Sequence, residues 1–269
     1  TKLHKQIFGD ALNYHKNYSN DEELTLARDL VKCLSRTRAE NYEEWIKLGW
    51  VLRNIDYRLI DAWIEFSKVS SKYISGECEN LWDKMREDTL GMGTLRMWAK
   101  KDNEGEYNNI MNNSVIALID KCTNEKEHYN IAKVVHALFK DTYRFTIKDT
   151  WYEYRKECHR WMRTREGLKL RFILSEDVCR KFMERSNYWA NQAVMVTENN
   201  DFMVEKAKKL VQIASLLKGS GYKDSIMKEC KCLFTDEKFE EFLDSRPHLI
   251  GFENGVYDLR MHEFREGSP

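Results

Sequence analysis

The sequence predicts a mainly α protein with a small antiparallel β part, and three features carry that prediction. Apolar residues recur at three- and four-residue steps through most of the chain, the period of amphipathic helices. Only two prolines occur, Pro247 and Pro269, so long runs hold no helix breaker. In two short regions, Tyr143–Arg163 and Leu249–Arg265, the apolar period drops to two, as in half-buried strands.

In chain order, residues 1–19 carry a weak helical pattern (Leu3, Ile7, Phe8, Leu12). Asp21-Glu22-Glu23 then opens a clearer helix, acidic at the positive end of its dipole, with Leu24, Ala27, Leu30, Val31 and Leu34 on one face. Residues 1–39 therefore read as a helical lead-in or linker. From Glu40 the pattern sharpens: Trp45, Leu48, Leu52 and Ile55 form one stripe, and Gly49 lies on it where a partner helix can come close. A second helix follows with Leu59, Trp63 and Phe66, and a short third with Cys78, Leu81, Trp82 and Met85. Gly91-Met92-Gly93-Thr94 reads as a loop ending in an N-cap for a last helix with Leu95, Trp98 and Ala99. Residues 40–102 thus form a compact helical module, and polar Asp102–Tyr107 is the expected domain junction.

The second domain, 103–269, begins with a helix through Ile110, Val115 and Ile119 and another over His128–Phe139. Three short strands are expected at Tyr143–Ile147, Trp151–Arg155 and His159–Arg163. Helix resumes from Leu168 to Trp189, then at Phe202–Leu217, Tyr222–Phe234 and Glu237–Leu243. The last stretch, LIGFENGVYDLRMHEFREGSP, alternates in period two about Asn254-Gly255, a pair suited to the positive φ angles of a type I′ hairpin turn. It reads as a domain edge within a longer protein.

Composition narrows the function. The 44 Lys and Arg balance 44 Asp and Glu, so any affinity for nucleic acid must be local. The seven cysteines are odd in number and never spaced CxxC, which suggests reduced thiols rather than disulfides or a zinc site. No apolar run reaches the roughly 18 residues of a membrane span, so no membrane partner is expected.

Two sets of motifs resemble a known family. The order LGWVLRNI, DAWIEFSKVSSKY, CENLWDKM and GTLRMWAK is similar to the small helical domain behind the catalytic core of many viral and plasmid primases; Trp45, Gly49, Trp63, Tyr73, Cys78, Trp82 and Ala99 are among the matching residues. YRF, WYEYR, HRW and finally HLIGFENGVYDL with EFR resemble the domain that precedes the superfamily-3 helicase core in primase–helicases of nucleocytoplasmic large DNA viruses of poxvirus, asfarvirus and mimivirus type. The resemblance implies a connector between primase and ATPase that helps assemble a hexameric ring and leads single-stranded DNA towards it, alongside other replication proteins and in the host cytoplasm. It implies ATP and Mg²⁺ for a helicase core outside this sequence, and no cofactor within it.

The residues themselves offer no catalytic site. Gly219-Ser-Gly-Tyr-Lys223 has the wrong spacing for a phosphate loop and follows no hydrophobic strand. His128 and His136 share a helical face without a third ligand, and Cys158-His159, adjacent in an expected strand, point to opposite faces. Glu43-Glu44 and Glu240-Glu241 fall on expected solvated positions. The one local signal is a basic run: Arg155 to Arg185 holds ten cations against five acids, interleaved at its start with Trp151, Tyr152, Tyr154 and Trp161. Cations that grip phosphates beside rings that stack on bases are the design of single-strand binders. The candidate nucleic-acid residues are Arg155, Lys156, Arg160, Trp161, Arg163, Arg165, Lys169 and Arg171. The same pattern fits a charged strand edge whose rings face the core, and the chain then serves as a protein docking scaffold without nucleic-acid contact.

Overall fold

The computed structural model describes residues 20–85, 90–124, 127–196, 200–265 and 267; residues 1–19, Ser268 and Pro269 of the sequence reading lie outside them. The fold is mainly helical with two small antiparallel sheets, and the chain divides into two compact units between Ser114 and Val115.

The first unit contains α1 (Asn20–Lys32), α2 (Arg36–Glu40), α3 (Tyr42–Ile55), α4 (Ile60–Ser67), α5 (Glu77–Trp82) and α6 (Met92–Asp102). Asn41 caps α3, its side chain accepting from the Glu43 and Glu44 amides at 3.0 and 3.3 Å. The expected lead-in helix is part of this unit's core: Leu24, Ala27, Leu30 and Val31 are buried with Leu48, Leu52, Trp63 and Trp82. Helix α6 starts at Met92 rather than after Thr94, because the Leu95 amide already bonds the Gly91 carbonyl at 3.1 Å.

Tryptophans organise the centre of this unit. Trp63 stacks on Trp45 at 4.8 Å and lies 5.6 Å from Trp82. The Trp45 indole donates to Ser67 Oγ at 2.6 Å, and the Ser67 hydroxyl donates to the Trp63 carbonyl at 2.7 Å. The Trp63 indole in turn donates to the Trp45 carbonyl at 3.2 Å, so two of the three indoles carried into the core have partners, while the buried Trp82 N–H has none among the described residues. Gly49 makes the packing possible, since a Cβ there would sit 2.6 Å from the Trp63 ring. Gly49→Ala is therefore expected to destabilise this unit by about 1–3 kcal/mol through overpacking, measured as a lower urea midpoint with an unchanged m-value.

Helix α7 (Glu104–Lys121) follows α6 after Asn103, and the unit division falls inside it. The second unit continues with α8 (His128–Phe139), β1 (Tyr143–Thr146), β2 (Thr150–Arg155), β3 (Arg160–Thr164) and α9 (Leu168–Ile173). A wider π-type turn, Leu174–Val178, leads into α10 (Cys179–Met195), then α11 (Asp201–Leu216) and α12 (Ser220–Phe234). A single turn, α13 (Phe239–Phe242), precedes β4 (Leu249–Phe252), β5 (Gly255–Asp258) and β6 (Glu263–Arg265). The core gathers Ile131, Val135, Tyr143, Trp151, Phe182, Leu210, Ile226 and Phe234. His128 and His136 pack edge-on against Tyr222 and Phe234 at 4.7 and 4.9 Å, the role of ordinary packed histidines.

Both sheets are antiparallel meanders, β1-β2-β3 and β4-β5-β6. Pairing of Arg155 with Arg160 leaves residues 156–159 as a turn, with His159 at φ 51°. Cys158 and His159 thus lie in a turn, not in the expected strand. The terminal hairpin also differs from expectation. Phe252 pairs with Gly255, so Glu253-Asn254 form the loop, and neither has the positive φ of a type I′ turn. Gly255 is needed for a different reason: a Cβ there would lie 2.7 Å from the Arg265 carbonyl oxygen and from the Phe264 ring.

Candidate nucleic-acid interface

Strand alternation decides what the basic run can offer. Tyr143, Phe145, Trp151 and Glu153 share one face of the first sheet, the face against the helical core. Tyr152, Tyr154, Trp161 and Arg163 share the other. That second face is covered by α13: Phe239 is buried, with its ring 5.1 Å from Tyr152 and 4.9 Å from Trp161. Trp151, Tyr152 and Tyr154 are all buried, so three of the four interleaved rings stand in the core or beneath α13 rather than open for stacking. Of the two readings the sequence left open for these rings, facing the core holds for Trp151, Tyr152 and Tyr154. Alternation alone could not choose it because β2 is buried on both faces, whereas a strand read from alternation has one wet face.

The cations divide in the same way. Lys169 holds the buried Glu153 carboxylate, which also lies 3.8 Å from Arg155 and accepts from the Tyr143 hydroxyl at 3.4 Å. Burial and that carboxylate push the Tyr143 phenol up from its ordinary value. Arg171 is committed to Asp224 at 2.7 Å and to Ser220 Oγ at 2.8 Å. Among the further cations of the run, Arg180 pairs with Asp177, Lys181 with Glu184 at 3.1 Å and Arg185 with Asp120 at 2.6 Å.

Four candidates keep their charge available. Lys156 and Arg165 are exposed, with no side-chain partner among the described residues. Arg160 donates to the Gly251 carbonyl at 3.0 Å and Arg163 to the Tyr152 hydroxyl at 2.9 Å, both neutral acceptors. That hydroxyl raises the Arg163 guanidinium above its usual value, so it stays charged. Arg155 faces Arg160 directly across the β2–β3 pair. Like charges opposed in this way repel, and a phosphate between them would relieve the repulsion. Trp161 is half-buried, edge-on to Tyr154 at 5.4 Å, with the Arg144 guanidinium 5.2 Å from its ring centre.

Gly219 precedes α12, which follows a helix rather than a strand, and Lys223 donates to Ser175 Oγ at 2.8 Å. Among the described residues no three His, Cys, Asp or Glu gather as metal ligands, and no helix is long and apolar enough to cross a membrane. Glu240 is not the solvated residue expected from the helical pattern. It accepts from the Tyr152 hydroxyl at 3.0 Å and pairs with Lys148, whose hydrogen bond holds the Glu240 carboxyl below its ordinary value. Arg144 and Glu240 are the contributors that local charge counting could not find, since each acts across the sheet from a separate segment.

A helical module packed on tryptophans, followed by a helical unit with two small antiparallel sheets, fits the mainly α fold with a small antiparallel β part that the sequence predicts. Comparison with known proteins agrees. Residues 27–99 match the family described as Primase C terminal 2, and residues 132–269 match D5 N terminal like. The chain belongs to the D5 N terminal like family, as a region of the viral D5-type primase–helicases. It is 34% identical to "Putative helicase L207/L206" of Acanthamoeba polyphaga mimivirus, over all of this chain and 28% of that protein. It is 24% identical to "Putative helicase 121R" of Invertebrate iridescent virus 3, over 90% of this chain and 30% of the relative. The same identity, over 87% of this chain and 27% of the relative, relates it to "Putative primase C962R" of African swine fever virus (isolate Tick/Malawi/Lil 20-1/1983). The chain thus spans under a third of the length of these relatives.

Proposed function

We propose that this chain is the connecting region of a replicative DNA primase–helicase. In this reading it helps assemble a hexameric ring and guides single-stranded template between primase and ATPase, at a viral replication site in the host cytoplasm. The observation that carries the reading is the tandem order of the two family matches, in a chain whose relatives are named as helicases and as a primase. ATP and Mg²⁺ then belong to a helicase core outside this region, and catalysis of strand separation is not assigned to these residues. The charged edge of β2–β3, with Arg155, Lys156, Arg160, Arg163 and Arg165, supplies the phosphate contacts. Those groups are exposed, whereas Lys169 and Arg171 hold structural carboxylates and contribute less.

The test is anisotropy of a labelled single-stranded oligonucleotide across a salt series. Binding should weaken linearly in log salt, with a slope of roughly −0.7 per phosphate neutralised. Lys156→Glu with Arg165→Glu should lower affinity about tenfold or more and flatten that slope, without changing the melting temperature. A second reading is a docking scaffold for other replication proteins. The exposed apolar side chains Ile250, Phe252 and Phe264 on one face of the terminal sheet favour it. Absence of binding at low salt, by wild type and by variants that uncover the first sheet, selects the scaffold.

A further inference from the structure

We infer that residues 236–243 form an acidic strap that occupies the first sheet as a nucleic acid strand would, and that single-stranded DNA gains the covered face only when the strap lifts. The inference rests on the proposed single-strand reading and adds where on the sheet the rings and phosphates meet the protein.

The strap reads Asp-Glu-Lys-Phe-Glu-Glu-Phe-Leu, four acids against one lysine, and lies beside Arg144, Lys148 and Arg163. Asp236 Oδ2 is 3.8 Å from Arg144 Nε, and Glu240 holds Lys148 together with the Tyr152 hydroxyl, to which Arg163 also donates. Between these carboxylates the Phe239 ring sits edge-on to both Tyr152 and Trp161. An aromatic ring against two aromatic rings, flanked by anions on arginine and lysine, fills the places that a base and its neighbouring phosphates take on a single-strand binder, though here the ring meets its partners edge-on where a base would stack. The rings that sequence alone offered as stacking partners are thus engaged, and their occupant comes from the same chain.

The attachment is slight enough to reverse. The strap's helix is one turn, Phe239–Phe242, too short to be stable alone. Its Asp236 end is held by the amide of Asp236 on the Phe145 carbonyl at 2.9 Å, and Asp244 just beyond it turns at φ 56°. Phe242, Glu237 and Glu241 are exposed, so Phe239 is the one buried anchor. The Asp236 carboxylate and the Lys148 ammonium are exposed enough that each ion pair adds little, which leaves the buried Phe239 ring and the mostly buried Glu240 carboxylate on Tyr152 as the main hold.

The experiment compares oligothymidylate binding by wild-type chain, Phe239→Ala, Asp236→Asn/Glu240→Gln and the control Glu237→Gln/Glu241→Gln. The control removes the same two charges from positions that make no contact with the sheet. Loosening the strap raises the fraction of binding-competent sheet, so the first two variants should bind about fivefold more tightly or better, and the control within about twofold of wild type. Equal affinity of wild type, Phe239→Ala and the contact double variant would overturn the strap and leave the single-strand reading standing. Binding by the loosened variants alone supports both. No binding by any of the four proteins overturns both. Should Phe239→Ala fail to fold, the double variant, which keeps the Phe239 ring and replaces each carboxylate by an amide of the same shape, gives the answer.

Discussion

Asp102→Ala is expected to cost the first unit about 3–5 kcal/mol, the largest effect of any single polar change proposed for it. Asp102 takes Arg38 in a two-point grip, Nε at 2.5 Å and Nη2 at 2.8 Å, and accepts the Ser35 amide at 2.9 Å. Both side chains are under 10% exposed, and the guanidinium also lies 5.1 Å from the Trp98 ring centre. Removing the carboxylate leaves a buried guanidinium without its counter-charge, the situation in which breaking an ion pair costs most. Glu44, 3.3 Å from Arg38 and half exposed, compensates only in part. Burial alone would raise the Asp102 carboxyl, but hydrogen bonds from Arg38 and Ser35 more than offset it and hold the group below its ordinary range. A folded value depressed in this way contributes stability above the unfolded carboxylate value of about 4 and loses it as pH falls through the folded value. The wild type should therefore lose stability on acidification below about pH 4, whereas Asp102→Ala should lose less over the same window. Urea unfolding at neutral and acid pH measures both; parallel pH profiles for the two proteins would remove Asp102 from the account.

Nothing in the sequence near Asp102 announces this pair. Asp102 follows two lysines at a polar junction, and Arg38 sits in a stretch read as lead-in; they are 64 residues apart and meet only through helix packing. The legible parts were those written in local period. Trp45, Leu48, Gly49 and Leu52 on one stripe announced α3 and the close approach of Trp63, because a helix fixes which residues share a face. The three strands of the first sheet were legible from alternation, with ends that differ by one residue. What covers each face was not, since Phe239 and Glu240 come from a segment about 80 residues away. The basic run shows the same limit. Counting cations along the chain found a surplus, but Glu153, Asp224 and Asp120 remove Lys169, Arg171 and Arg185 from it through contacts that no window of sequence contains.

Asp120 carries the second large effect. Its carboxylate accepts Arg185 Nε at 2.9 Å, Arg185 Nη2 at 2.6 Å and the Trp189 indole N–H at 2.9 Å, joining α7 to α10. Arg185 in turn lies 4.1 Å from the Tyr188 ring centre and 4.8 Å from that of Trp189, and Lys206 of α11 lies 4.4 Å from Trp189. Asp120→Ala leaves a mostly buried guanidinium and an indole donor unpaired together, for an expected loss of about 3 kcal/mol or more in the second unit. Asp120→Asn keeps one acceptor oxygen and should lose less. Because the indole is itself a partner, the emission maximum of Trp189, isolated by subtracting a Trp189→Phe variant, should shift in Asp120→Ala. This separates Arg185 from the candidate nucleic-acid cations earlier in the same run. Arg185→Ala should lower the stability of the unit while leaving single-strand affinity of the folded protein within about twofold of wild type, since a side chain already neutralised by a carboxylate is not free to displace counterions from DNA phosphates. An Arg185→Ala protein of unchanged stability and tenfold weaker binding would place Arg185 on the phosphate path and Asp120 among the groups that DNA must displace.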